Sequence, residues 1–256
     1  MATITMETRG VSSATTQTYS PSKWLVATVL AKQRETPMAT TFQLQLPHPL
    51  DHLPGQHYEI RLTAEDGYQA ARLYSAAYPS DGKSNVLYLT VEYMLGGEVT
   101  PYLCEQLQVG DELEVRGPLG HVFVWDPDST EPVLLVGGGS GIVPLHCMWR
   151  AHALNGSSTP LQLVYSTRYY DGIVYREEFL ADPERVAITL TRAQPPDWQG
   201  DSGRLSSELL ERRLTMLPGT PMCYVCGMNA FVTVAISFLL KLGIPPSHIR
   251  AERFGT

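Results

Sequence analysis

The stretch at residues 133–145, VLLVGGGSGIVPL, constrains this chain more than any other. Four apolar residues stand between Pro132 and three consecutive glycines, which is the pattern of a buried parallel strand ending in a tight turn. Gly137, Gly138, Gly139 and Gly141 let the backbone turn sharply and come close to a phosphate. The helix expected next aims its free N–H groups and positive dipole end at the same place. Pro144 suits the first helical turn, where a missing donor costs nothing. From Gly139 the run reads G-S-G-I-V-P, so it is not the G-x-G-x-x-G dinucleotide fingerprint. On this stretch alone, a glycine turn with no ligand is the alternative.

At 256 residues the chain has the length for two domains, each able to bury its own core. With 43% hydrophobic and 18% charged residues it reads as globular, and no apolar run approaches bilayer length. The net charge of -7, with no basic run, argues against nucleic acid and leaves a basic protein partner open. Of the four cysteines only Cys223 and Cys226 lie close together, so neither a disulfide framework nor a cysteine metal site is indicated, and no metal is expected. A reducing cytoplasm fits this usage. Residues 1–22 are rich in Ser and Thr without an apolar core, and Glu7 and Arg9 are their only charges. They read as a disordered leader rather than a secretion signal.

Residues 24–30, 41–46, 57–62, 71–77, 86–93 and 112–116 are short, β-branched or alternating runs separated by Pro, Gly and Asp, the pattern of a small antiparallel barrel. Between the fifth and sixth runs, Thr100 can cap a short helix with Pro101 at its first position, ending near Val109. Gly117-Pro118-Leu119-Gly120 reads as a closing turn. Beyond Glu131 the texture changes to strands at 133–136, 161–165, 186–190 and 222–225 alternating with helices near 142–153, 205–213 and 229–242, which predicts a parallel α/β sheet. The polar linker at 126–130 divides a domain of residues 23–127 from one of 131–256.

Arg72-Leu73-Tyr74-Ser75 places a cation and an aromatic on one strand face with a hydroxyl beside them. Such a trio can bind a phosphate, stack on a planar ring and hydrogen-bond its edge; an ordinary outward face of a barrel strand is the alternative. Gly96-Gly97-Glu98-Val99-Thr100 opens the short helix and offers backbone donors to a second anion, or simply caps the helix.

In this order the motifs resemble the ferredoxin-NADP reductase superfamily, in its compact bacterial form without a fused iron-sulfur domain, over residues 24–256. The resemblance implies a β plus α/β two-domain fold: a six-stranded antiparallel Greek-key barrel for flavin, then a Rossmann-like parallel sheet for a nicotinamide dinucleotide. It implies that Arg72 binds the flavin phosphate, that Tyr74 borders its ring, that Ser75 meets its reactive edge, and that Leu73 between them is also cofactor-binding. Gly96, Gly97, Val99 and Thr100 would hold the flavin phosphates. Gly138, Gly139, Ser140, Gly141 and Pro144 would form the dinucleotide pyrophosphate loop, with Ser166 on the next strand end. Cys226, Gly227 and Met228 would border the nicotinamide, and Glu252 and Phe254 would lie near the flavin. Ser75, Cys226, Glu252 and Phe254 are thus the residues implied at the point of hydride transfer, within a flavin-dependent NAD(P)H oxidoreductase. FAD rather than FMN follows from the compact relatives.

Two residues depart from the pattern: Met228 stands where many relatives have proline, and Glu92 where many have a basic residue, leaving Arg72 as the main cation for flavin. In a dinucleotide fold, an acid at the end of the second strand accepts the ribose 2'-hydroxyl, whereas a cation suits a 2'-phosphate. Here Arg168 follows that strand, Arg192 follows the third, and Arg204 sits in a turn before the next helix. NADPH is therefore expected. NADH use is the alternative, if Arg168 stacks on adenine while the others pair with Asp171, Glu177 or Glu178. Cys223 and Cys226 point in different directions on a strand, which argues against a redox dithiol. The expected acceptor is a redox protein such as ferredoxin, or an oxygenase or metalloenzyme component, with the chain monomeric. Rival readings are a regulatory dinucleotide-binding module without redox chemistry and an electron-transfer subunit of a larger complex.

Overall fold

The structure, a computed structural model, describes residues 23–255. The leader expected at 1–22 lies outside them. Two six-stranded sheets make up its frame.

The first sheet holds β1 (Leu25–Thr36), β2 (Ala39–Gln45), β3 (His57–Thr63), β4 (Gln69–Ser75), β5 (Val86–Glu92) and, after the short helix α1 (Val99–Pro101), β6 (Glu112–Leu119). All its pairs are antiparallel, in the order β4-β3-β6-β1-β2-β5. Its two edges meet through the Ala76–Leu89 bridge and the bond from Ala77 N to Tyr88 O at 2.9 Å, which closes the barrel. Alternation does the sorting: β5 buries Leu87, Leu89 and Val91 at every second position, against Phe42, Leu44, Tyr58 and Ile60.

Three local expectations change here. The cap of α1 is Glu98, which makes no side-chain cap bond. Thr100 lies inside the helix, where its Oγ1 accepts from Met94 N at 2.9 Å, because the preceding loop folds back over it. Pro101 closes α1 instead of opening it, and a π-helical turn over Tyr102–Gln106 follows, so the helical segment stops short of Val109. Lys32 Nζ bonds the free carbonyls of Cys104 and Leu107 at 3.2 and 2.5 Å. Finally, residues 117–119 continue β6 instead of turning, with Leu119 in register with His57.

The second sheet is parallel, in the order β10-β9-β8-β7-β11-β12. In chain order its elements are β7 (Val133–Gly138), α2 (Ile142–Leu154), β8 (Leu161–Thr167), α3 (Arg176–Leu180), β9 (Val186–Leu190), β10 (Asp201–Ser202), α4 (Ser207–Leu214), β11 (Met222–Met228), α5 (Asn229–Lys241) and β12 (Ile249–Phe254). Strands β10 and β12 and helix α3 had no signal in the sequence: β10 has two residues, and β12 (IRAERF) is a charged edge strand. Every residue of β8 is buried, as covering both faces of a sheet requires. Helices α4 and α5 cover one face, with Leu209, Leu210, Val232 and Leu239. Helix α2 covers the other and lies between sheet and barrel, sending Leu145 and Met148 into the sheet core and Cys147 into the barrel core.

The two units are locked by polar groups as well as by apolar ones. His146 of α2, fully buried, donates from Nδ1 to Ala77 O at 2.9 Å, faces Glu178 at 3.2 Å through Nε2, and stacks on Tyr175 at 3.6 Å between ring centroids. Arg150 reaches the same Glu178 oxygen at 2.8 Å. The Tyr175 hydroxyl bonds Thr90 at 2.5 Å, and Thr90 bonds Thr41 at 2.7 Å, back in the barrel. Among the described residues Tyr175 is the single non-glycine with positive φ, at 56°, so this contact is held despite a strained backbone.

Candidate functional site

A cleft of about 510 Å³ runs between barrel and parallel sheet. The β1–β2 hairpin (Thr36 to Ala39) and Thr90, Glu92 and Tyr93 line its barrel wall. Gly138, Gly139, Ser140, Ser166, Thr167, Arg168, Thr191, Met228 and Phe231 line the other. Strand order reverses at β7, with β8 on one side and β11 on the other, so the cleft opens at the topological switch point beyond the strand C-termini, where open α/β sheets bind ligands.

The glycine run divides by function. At Gly139 φ is +57° and a Cβ would meet nothing within 4 Å, so the turn needs a glycine and leaves its backbone open to the cleft. At Gly141 a Cβ would lie 2.3 Å from Cys226 O, so this position allows α2 to start hard against β11. Phe231 shields the turn: a Cβ at Gly138 would lie 2.7 Å from its ring. Pro144 is buried in α2 and does not line the cleft.

On the barrel, the β4 residues expected at a flavin carry unmet hydrogen-bonding capacity. Tyr74 Oη and Ser75 Oγ are buried with no partner. Burial also holds the Tyr74 phenol far above its usual range, so it stays a neutral O–H. Arg72 and Leu73 are exposed, and Arg72 pairs with Glu98 at 3.2 Å. Val99 and Thr100 lie on α1, which contacts β4, and they, Gly96 and Gly97 are all outside the lining of the cleft. Orphaned buried hydroxyls are rare in folded proteins, and two in succession fit a ligand that accepts and donates there, as a flavin ring does.

A third orphan links the units. His57 stands in register with Ser75 across β3 and β4, and its Nδ1 lies 3.6 Å from Glu252 Oε1. Glu252 is in register with Cys226, and Phe254 with Met228, across β11 and β12. Ser75, His57, Glu252 and Cys226 therefore follow one another from barrel to parallel sheet. Glu252 Oε2 is buried without a partner, and burial pushes this carboxyl up to about 7. His57 is pushed below its ordinary value, chiefly by burial as well. At 3.6 Å the contact is too long for a hydrogen bond, and burial drives both groups towards their neutral forms near neutral pH. Cys226 and Cys223 lie on opposite faces of β11, in separate cores, and burial raises both thiols, Cys223 to about 12. They form no dithiol. Phe254, half-buried, packs on the core between barrel and sheet.

Arg168 directly follows β8 at the cleft, and Arg192 N donates to Arg168 O at 3.0 Å. Arg204 follows Gly203, whose N donates to Leu190 O at 2.9 Å, so all three arginines stand at neighbouring strand ends. All three are exposed, and only Arg168 lines the cleft. Sequence reading missed His57, Phe231, Thr191 and the hairpin. None carries a local motif, and they reach the site only through tertiary pairing.

The family model for an oxidoreductase FAD-binding domain matches residues 27–124, and that for an oxidoreductase NAD-binding domain matches residues 135–236. A ferredoxin–NAD(P)(+) reductase component of naphthalene 1,2-dioxygenase/salicylate 5-hydroxylase systems from Ralstonia sp is 30% identical over 91% of this chain and 70% of its own length. The chain belongs to the ferredoxin-NADP reductase superfamily. Ferredoxin–NADP reductase B of Sorangium cellulosum is 33% identical over 73% of the chain and 80% of its own length. A solved cytochrome P450 reductase from Amycolatopsis superimposes with a TM-score of 0.77 at 27% identity, covering 91% of this chain and 70% of that one. The chain is accordingly an FAD-dependent oxidoreductase that takes electrons from a pyridine nucleotide. Among the described residues no helix is long and apolar enough to cross a membrane.

Proposed function

We propose that the cleft carries hydride transfer from NADPH, in preference to NADH, to FAD seated on β4. The electrons then leave for a ferredoxin-type protein or a similar component of an oxygenase or other metalloenzyme. The observation that carries this reading is the trio of buried, unpartnered oxygens on Tyr74, Ser75 and Glu252, joined from barrel to sheet through His57. Bound FAD would supply the ring that takes up hydride and passes electrons on. Tyr74 would border that ring, Ser75 would hydrogen-bond its edge and Arg72 would bind its phosphate. The turn Gly138-Gly139-Ser140 would hold the dinucleotide pyrophosphate with backbone donors, and Cys226 and Gly227 would pack on the nicotinamide. Glu252, kept near its protonated form by burial, can hold a proton beside them. Phe254 limits water at the same place by packing between the units.

The preference for NADPH rests on Arg168, Arg192 and Arg204, whose side chains make no ion pair or hydrogen bond among the described residues. Glu178, an acid that could have neutralised one of them, is taken by His146 and Arg150. Free guanidinium groups at adjacent strand ends suit a 2'-phosphate. The acceptor reading is supported by relatives named as ferredoxin reductases or oxygenase reductase components. Four free cysteines agree with a reducing cytoplasm. To test the reading, catalytic efficiency is compared with NADPH and NADH in wild type, Arg168→Ala and Arg192→Ala, using a ferredoxin as acceptor. The reading requires a wild-type preference for NADPH and a loss confined to NADPH in the variants. A preference for NADH, or equal losses with both nucleotides, contradicts it.

A further inference from the structure

Arg72, the cation that β4 offers to a flavin phosphate, is already engaged in this structure. Its Nη2 bonds Glu98 Oε2 at 3.2 Å and its Nη1 donates to Ala71 O at 2.7 Å. The other Glu98 oxygen accepts from Tyr68 Oη at 3.3 Å. Tyr68 belongs to the turn between β3 and β4, which is held by Tyr68 N to Asp66 Oδ1 at 3.0 Å and Gly67 N to Ala64 O at 2.9 Å. Glu98 sits at the N-cap of α1, yet its carboxylate makes no cap bond and reaches across to the barrel strand instead. Four other cations of the barrel strands are committed elsewhere: Lys32 and Arg34 to backbone carbonyls, Arg61 to Glu114 and Arg116 to Glu59. They cannot replace Arg72 without giving up those bonds.

A carboxylate and a phosphate present the same kind of paired oxygens to a guanidinium fork, so the two compete for one site. We propose that Glu98 is an internal competitor for Arg72: its carboxylate occupies the guanidinium that the flavin phosphate needs, which weakens flavin binding and makes the flavin exchangeable. The Arg72 and Glu98 side chains are 53% and 57% exposed, so their pair is of the weak, water-screened kind. A phosphate can therefore displace Glu98, and the competition lowers affinity without blocking the site. This inference rests on the flavin reading of β4 given above, and it concerns how tightly the site holds its ligand.

The test is a double-mutant cycle on FAD affinity, followed by quenching of flavin fluorescence, with retention of flavin through gel filtration as a second readout. Glu98→Gln is expected to bind FAD up to about fivefold more tightly, the scale of an exposed ion pair, and to keep more flavin on the column. Arg72→Ala is expected to bind about tenfold or more weakly. In the Arg72→Ala background, Glu98→Gln should change nothing. Riboflavin, which has no phosphate, should bind wild type and Glu98→Gln equally. Unchanged or weaker FAD binding in Glu98→Gln, a gain that persists without Arg72, or an equal gain with riboflavin overturns the proposal. FAD binding by none of the proteins would sink the flavin reading itself and this inference with it.

Discussion

Two half-buried carboxylates of the fold are treated in opposite ways. Glu178 lies in the interface that locks barrel to sheet, where His146, Arg150 and Tyr78 surround it. Burial alone would raise it, but hydrogen bonds and charge from His146 and Arg150 more than offset this and hold it down at about 2. Glu252 lies where β12 faces His57 of the barrel strand β3, outside the lining of the cleft, with one oxygen unpartnered, and is pushed up to about 7. The interface carboxylate is fully engaged, although Trp149 Nε1 and Arg150 Nε beside it have no partner, whereas the carboxylate facing His57 keeps an open oxygen. The Tyr74 and Ser75 hydroxyls share the unpaired state, and the His146–Tyr175–Thr90 chain the paired one.

The interface should be the more costly region to break. His146→Ala leaves Glu178 short of a partner and opens a cavity between stacked rings, an expected loss of about 3 kcal/mol in urea denaturation. A loss below about 1 kcal/mol would mean that the interface is not the stabilising region. On the site side, Arg72→Ala should leave urea stability within about 0.5 kcal/mol of wild type while lowering FAD affinity about tenfold or more, measured by titration. An equal loss of stability would erase the distinction between the two regions.

The comparison also fixes a sign for pH. Glu178 is depressed in the folded state, so its contribution is present above about pH 4.5 and is lost as pH falls towards about 2. Glu252 is raised, so the folded state gives up stability as pH rises from about 4.5 to about 7, on the order of 3 kcal/mol. Urea midpoints across this range should fall with rising pH in wild type relative to Glu252→Gln, which lacks the titrating group. Parallel curves for the two proteins would place Glu252 outside a desolvated site. The smallest expected effect is at the chain end: deleting residues 254–256 removes Phe254 from its packing and should change nicotinamide turnover by a few-fold with the barrel intact. Unchanged kinetics would separate Phe254 from the cleft.

What could be read from the sequence follows from the range of the interactions involved. The strand-glycine-helix run at β7 and α2, and the alternation in β5, are local and periodic, so both folds and most strand positions were legible. Thr100 was misread because its hydroxyl is claimed by Met94 N in a loop that only the barrel shapes. Strand β12 was missed because charged residues at a sheet edge leave no apolar pattern. The Arg72-Leu73-Tyr74-Ser75 motif is local and could be read from the sequence, but the claim of Glu98 on Arg72 joins residues 26 apart in sequence and has no local signature. His57 is the same kind of case, since it reaches Glu252 from the other end of the chain.

The central claim is that FAD on β4 takes hydride across the cleft from a nucleotide on the glycine turn. It is tested most directly by loading the protein with FAD, removing oxygen and mixing with NADPH in a stopped-flow instrument while the visible flavin absorption is recorded. The account predicts rapid bleaching in the wild type and much slower bleaching in Ser75→Ala, with the flavin still bound in both. Bound flavin that stays oxidised in the wild type, or that is reduced equally fast in Ser75→Ala, would contradict it.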